Sequence, residues 1–181
     1  DSKRLTLIDV CQAHESFITS ILYIPEESYV ITGGAESRIA VRKIEGRSFG
    51  KHIKYIDSKG FISYMCYIDD EHLFASVGGD TNIRLYNLNT LETESLIATS
   101  HKGYVPRGGL VYAKDKKLLI AGYEDGMLDF YNLKKRQLVF GIIAENQAYW
   151  GLLYNAQNLK IYAHVKPGTI KVWNFEGERP M

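Results

Sequence analysis

A pattern close to 44 residues long recurs four times in this 181-residue chain, and a chain built that way folds as a series of like units. Phe17, Phe61, Tyr104 and Tyr149 mark one phase of the pattern. At another phase, Gly34, Gly79 and Gly122 precede short runs that end in Arg42, Tyr86, Tyr131 and Trp173. Each unit reads as an apolar run, a polar turn rich in Gly or Asp, and a second alternating run, which is a hairpin with period-2 patterning on both arms. A side chain that recurs at one phase of such an array emerges on one shared surface.

Extending the pattern predicts four strands per unit. They fall at 17–23, 28–33, 38–43 and about 51–56 in the first unit, and at 61–67, 72–77, 82–87 and about 94–99 in the second. The third unit offers 109–112, 117–122, 127–132 and 137–142. The fourth offers 149–154, 159–164 and 169–174, with no fourth strand after them. The run at 4–10 stands where a fourth strand should, so it is expected either to close the last sheet or to be the outer strand of a preceding unit. No segment carries an apolar stripe of helical period, and Pro25, Pro106, Pro167 and Pro180 fall mostly in turns or near the ends. The whole of 1–181 reads as one all-β repeat region with units near 11–57, 58–100, 101–145 and 146–175.

These units resemble the WD40 repeat. The residues that carry the resemblance are the His phase at His14 and His101, with Ser58 and Asn146 between and after them. The turn phase is Glu36, Asp80, Asp125 and Pro167, and the closing dipeptides are Arg42-Lys43, Tyr86-Asn87, Tyr131-Asn132 and Trp173-Asn174. The resemblance implies a β-propeller, usually of seven blades, that serves as a scaffold without chemistry of its own. Four units fall short of that ring. The expectation is therefore an arc of a larger propeller, or one completed by the rest of the propeller, a second copy or another partner chain. In well-formed repeats His, a Ser or Thr, the turn Asp and Trp make one buried hydrogen-bond network. Here the matching sets are His14, Thr32, Glu36, Arg42; Ser58, Ser76, Asp80, Tyr86; His101, Ala121, Asp125, Tyr131; and Asn146, Ala163, Pro167, Trp173. None has the full complement, so the blades are expected to rely more on apolar packing.

Composition narrows the function classes. With 22 basic and 21 acidic residues the formal charge is +1, which gives no general attraction to nucleic acid or acidic membranes. Cys11 and Cys66 form neither a metal-spaced pair nor a disulfide framework, which points to a reducing, intracellular setting, cytoplasmic or nuclear. No apolar run approaches the ~18 residues that would span a bilayer. A first residue other than Met suggests a processed product or a piece of a longer chain.

The aromatic set Phe17, Phe61, Tyr104 and Tyr149 is the candidate binding surface, because in the resembling family the position before the first strand lies around the central channel. Lys59, Lys102 and Arg107 lie near it in phase and could pair with carboxylate or phosphate. His14, His101, Asp80, Asp125, Tyr86, Tyr131 and Trp173 read as structural repeat positions. No metal cluster, cofactor motif or catalytic constellation is spelled out: Asp69-Asp70-Glu71 is a contiguous surface turn, and the Gly pairs lack a phosphate-loop Lys. The expected function is a non-enzymatic protein-interaction scaffold in a multiprotein complex. The alternative is a subunit of an RNA-associated assembly, with the basic residues and Lys134-Lys135-Arg136 meeting phosphates.

Overall fold

Alternating side chains and two tight turns per unit leave each segment one way to bury its apolar face, namely as a small antiparallel sheet stacked on the next. The computed structural model describes residues 6–99, 106, 108–143, 148–165 and 168–176. Blade one contains β1 (Ile18–Ile24), β2 (Tyr29–Gly34), β3 (Arg38–Glu45) and β4 (Ser48–Asp57). Blade two contains β5 (Ile62–Ile68), β6 (Leu73–Gly78), β7 (Ile83–Asn87) and β8 (Glu92–Ile97). Blade three contains β9 (Leu110–Ala113), β10 (Leu118–Gly122), β11 (Met127–Asn132) and β12 (Gln137–Ile143). Among the described residues blade four contains β13 (Tyr149–Asn155), β14 (Lys160–Val165) and β15 (Thr169–Asn174). Strand order follows chain order in every sheet, and the fold is all-β as the repeat requires.

The repeat is carried by the backbone as well as by the side chains. Ser28, His72, Lys117 and Leu159, each just before the second strand of its blade, all take left-handed φ values of 55°, 53°, 54° and 52°. Ser37, Thr81, Gly126 and Gly168, just before the third strand, do the same at 66°, 62°, 83° and 68°. A non-glycine residue resists this region, so its recurrence at one phase shows that the same turn is imposed four times.

Three apolar seams hold the blades together. Ile31, Val41, Met65, Phe74 and Tyr86 pack between blades one and two. Cys66, Leu85, Leu110, Leu119 and Tyr131 pack between two and three, and Ile120, Phe130, Tyr149, Ile161 and Phe175 between three and four. Each fully buried side chain of this kind contributes about 1.5–3 kcal/mol relative to exposure. The inner strands stand side by side, β1 with β5, β5 with β9 and β9 with β13. The approach of blade four is close enough to demand glycine. Gly109 has φ 111°, and a Cβ there would lie 2.7 Å from the Leu152 amide.

The strand expected at 4–10 is not found over its described part. Residues 6–10 have no strand conformation, and they do not join the sheet of blade four. They run instead beside blade one, where the Asp9 carboxylate accepts a hydrogen bond of 2.9 Å from the Phe49 amide. Residues 4 and 5 lie outside the described residues.

Candidate functional site

The predicted polar networks form in part, each with its own chemistry. In blade one the buried His14 ring bridges Glu36 Oε1 at 2.5 Å from Nδ1 and Thr32 Oγ1 at 2.8 Å from Nε2. Gly34 lies beneath this pair, and any Cβ there would strike His14 and Glu36. Burial acts to raise the Glu36 carboxyl, but its backbone hydrogen bonds and the His14 contact outweigh that and hold it below its ordinary 4.5. Arg42 stands outside the network and reaches the Gln12 carbonyl at 3.4 Å.

Blade two replaces the indole with a phenol. Tyr86 OH lies 3.2 Å from Ser76 Oγ, with Ser58 also bonded to it, while Asp80 turns to Arg84, accepting from its Nε at 2.8 Å. Blade three loses its Thr to Ala121, and the compensation comes from residues the repeat pattern did not flag. Tyr131 donates to the fully buried Asp129 at 2.8 Å and lies 2.6 Å from the Tyr123 hydroxyl. Desolvation is the main reason both tyrosines are held well above their usual range. Asp125 caps the turn by accepting from the Met127 amide at 3.1 Å. Trp173 in blade four packs edge-on to Tyr149 with ring centroids 6.1 Å apart. His101, Asn146 and Pro167 lie outside the described residues.

The aromatic phase does not come together as a ring of four. Phe17 and Phe61 are equivalent: the Phe17 carbonyl accepts from the Ala35 amide and the Phe61 carbonyl from the Gly79 amide, both at 2.9 Å. Phe17 is 82% exposed and Phe61 is half-buried. Tyr149 is one register later. It pairs with Val165 as Ile18 pairs with Gly34 and Ile62 with Gly78, so it points into the seam and is fully buried. The residue matching Phe17 and Phe61 is Ala148. A one-residue slip in a strand moves a side chain to the opposite face. Tyr104, Lys102 and Arg107 lie outside the described residues, and Lys59 is exposed two residues before Phe61.

Phe61 borders a central cavity of about 200 Å³ between the inner strands of blades one, two and four. Thr19, Ile62, Ser63, Tyr64 and Trp150 complete its lining. Thr19 Oγ1 donates to the Gly33 carbonyl at 2.9 Å and also to Ile62, and the Tyr64 hydroxyl donates to the Trp150 carbonyl at 2.5 Å, tying blade two to blade four. Of the hydroxyls around the cavity, those of Thr19 and Tyr64 are committed to backbone acceptors, whereas Ser63 Oγ is buried without a hydrogen-bond partner.

Among the described residues no cluster of three or more His, Cys, Asp or Glu side chains could hold a metal ion, and no helix is long and apolar enough to cross a membrane. Cys66 is buried and its thiol is pushed up to about 12 by desolvation, which suits packing rather than attack.

A second recurring contact was not legible as a motif. Tyr67 of blade two donates to Glu26 of blade one at 2.8 Å, Tyr112 of blade three to Asp70 of blade two at 3.1 Å, and Tyr154 of blade four to Asp115 of blade three at 2.9 Å. The acceptor always stands three residues after the matching tyrosine of the blade before.

Comparison with known proteins agrees with this architecture. The family model described as WD domain, G-beta repeat matches residues 5–41. Over 74 residues the chain is 32% identical to the tRNA (guanine-N(7)-)-methyltransferase non-catalytic subunit wuho of Drosophila grimshawi, a stretch that covers 41% of this chain and 19% of that relative. The computationally designed Ika4 protein superposes with a TM-score of 0.76 at 17% identity, over 95% of this chain and 99% of its own. The designed Ika8 protein does so with a TM-score of 0.73 at 17% identity, over 96% of this chain but 50% of its own. At that identity the two designed structures speak to fold alone. Residues 5–41 thus carry a WD40 repeat, and the chain as a whole is an array of four WD40-like β-propeller blades.

Proposed function

We propose that the chain is a non-enzymatic protein-interaction scaffold, an intracellular component of a multiprotein complex, that binds a peptide or protein segment on the rim carrying Phe17, Phe61 and Lys59. The observation that carries this reading is the pairing of an exposed Phe17 with Phe61 at the same position of the adjacent blade, beside the central cavity. Rigid aromatic side chains on a preorganised sheet bury much area for little entropy, and Lys59 adds a preference for carboxylate. The name of the fly relative, a non-catalytic subunit, supports the same role.

The test is selection of peptides from a displayed library against the wild-type chain. Selected peptides should lose about tenfold or more in affinity for the Phe17→Ala/Phe61→Ala double variant and keep it for Lys134→Ala. Equal binding to both variants would remove the rim from the proposal.

The relative's name also favours a second reading, membership of an RNA-modifying assembly. Lys59, Lys134 and Lys135 are exposed, whereas Arg136 is held by Glu94 at 3.0 Å. Fluorescence anisotropy with a tRNA should then show affinity falling steeply as salt rises, and binding insensitive to salt would reject phosphate contacts.

A further inference from the structure

The outer edge of blade three differs from those of blades one and two. Each of these blades ends in an outer strand, β4, β8 or β12, with one backbone edge that no described strand pairs. An open edge of this kind invites another strand, and charged side chains are a common guard against it. β4 carries Lys51, Lys54 and Asp57, and the Asp9 carboxylate already takes its Phe49 amide. β8 carries Glu92 and Glu94. Those charges also tie blades together, since Lys54 donates to Glu92 at 2.9 Å and Arg136 to Glu94 at 3.0 Å.

β12 has no such guard. Its sequence, Gln137-Leu-Val-Phe-Gly-Ile-Ile143, holds no charge and no proline. Phe140 and Ile142 pack into the seam with blade four, while Leu138, Val139 and Ile143 are 36%, 51% and 74% exposed. The pairing of β12 with β11 shifts once, between Phe130 and Tyr131, but β4 and β8 show shifts of the same kind, so irregularity does not set β12 apart. Charge does. Because blade three stands between blades two and four, the character of this edge does not depend on what precedes residue 1 or follows residue 181.

We propose that β12 pairs with β12 of a second copy of this chain, antiparallel about a twofold axis, so that two four-stranded sheets join into one of eight. The occupant is a second copy because the strand complements itself. Apolar side chains meet apolar side chains across the axis, and no like charges come together, as Lys51 with Lys54 or Glu92 with Glu94 would if β4 or β8 paired with itself. The direction follows from the turn before the strand. Lys134 and Lys135 are exposed there, and antiparallel pairing puts the two basic turns at opposite ends of the joined sheet, where parallel pairing would stack them. Pairing consumes both edges, so association stops at two copies. The inference concerns the outer perimeter and is independent of the rim that carries Phe17 and Phe61.

Sedimentation of the purified chain at rising concentration should show the mass climbing from 20.6 kDa to twice that value. Hydrogen exchange at low and high concentration needs no variant, and the amides it protects on association should lie in β12. Val139→Lys and Ile143→Lys should each stay folded by circular dichroism and lose about tenfold or more in self-association. Phe17→Ala/Phe61→Ala should dimerise as the wild type does. Four results would overturn the proposal: a single mass up to sub-millimolar concentration, protection confined to another strand, folded lysine variants that dimerise like the wild type, or loss of the dimer in the rim variant.

Discussion

Blades two and four place the same kind of side chain at the same positions and bury them differently. Cys66, Ile83 and Leu85 of blade two are buried against blade three. Their counterparts in blade four, Leu153, Ile170 and Val172, are 56%, 71% and 50% exposed. Strand register fixes the equivalence: Cys66 and Leu153 each precede the seam tyrosine, and Leu85 and Val172 each precede the closing aromatic. The apolar pattern of a blade is thus written for a neighbour whether or not the chain supplies one, and burial is a property of the pair.

The sharpest way to break that comparison is to truncate both positions. Leu85→Ala should cost about 2–5 kcal/mol in urea unfolding, since it opens a cavity in a sealed seam. Val172→Ala should cost under about 1 kcal/mol, since half of that side chain is already exposed. Equal losses would show that the blade-four face is sealed already.

Next in size is the polar interior of blade three. Tyr131→Phe removes the donor to Asp129, a carboxylate with no solvent exposure, and should cost about 1–3 kcal/mol. Ser76→Ala in blade two, whose Tyr86 keeps Ser58, should cost less. A larger loss in blade two would reverse the ranking of the two networks.

These networks mark where the sequence stops being legible. Strand positions and the four-blade array follow from period-2 patterning and turn residues, and the observed strands fall within a few residues of those expected. The His14, Thr32 and Glu36 set is readable because its members keep their repeat phase. Tyr123 and Asp129 are not, because they compensate for Ala121 from positions the repeat leaves free, and only proximity after folding couples them. Tyr149 shows the complementary failure. Spacing alone places it with Phe17 and Phe61, but irregular pairing at the start of β1, β5 and β13 means that a one-residue difference in spacing decides between rim and core. The tyrosine-to-acid contacts stayed hidden because donor and acceptor sit in different units.

Blade one's polar set differs from blade three's in being titratable near the surface. Glu36→Gln should cost about 1 kcal/mol at neutral pH, with partial exposure limiting the effect. The Glu36 pKa is depressed in the folded state, so its contribution is present above the ordinary value of 4.5 and disappears as pH falls through the lower folded value. Urea titrations of wild type and Glu36→Gln should therefore converge in acid. A gap that persists below that range would mean the carboxylate charge is not the source of the stabilisation.

The smallest expected effect compares the two inner turns, and its sign is the informative part. Thr81 and Gly126 occupy one phase of the repeat at φ 62° and 83°, but only glycine adopts that region without steric cost. Thr81 is β-branched, and the turn is held in place by its N–H, which donates a hydrogen bond of 3.0 Å to the Gly78 carbonyl, and by Thr99, which donates to its carbonyl at 2.6 Å. Both are backbone contacts of residue 81, so glycine keeps them while relieving the strain, at the cost of a more flexible unfolded chain. Thr81→Gly should stabilise the protein by up to about 1 kcal/mol, and Gly126→Ala should destabilise it by a similar amount. If Thr81→Gly proves destabilising, the threonine side chain contributes packing that outweighs the strain, and the turns of blades two and three are alike in backbone only.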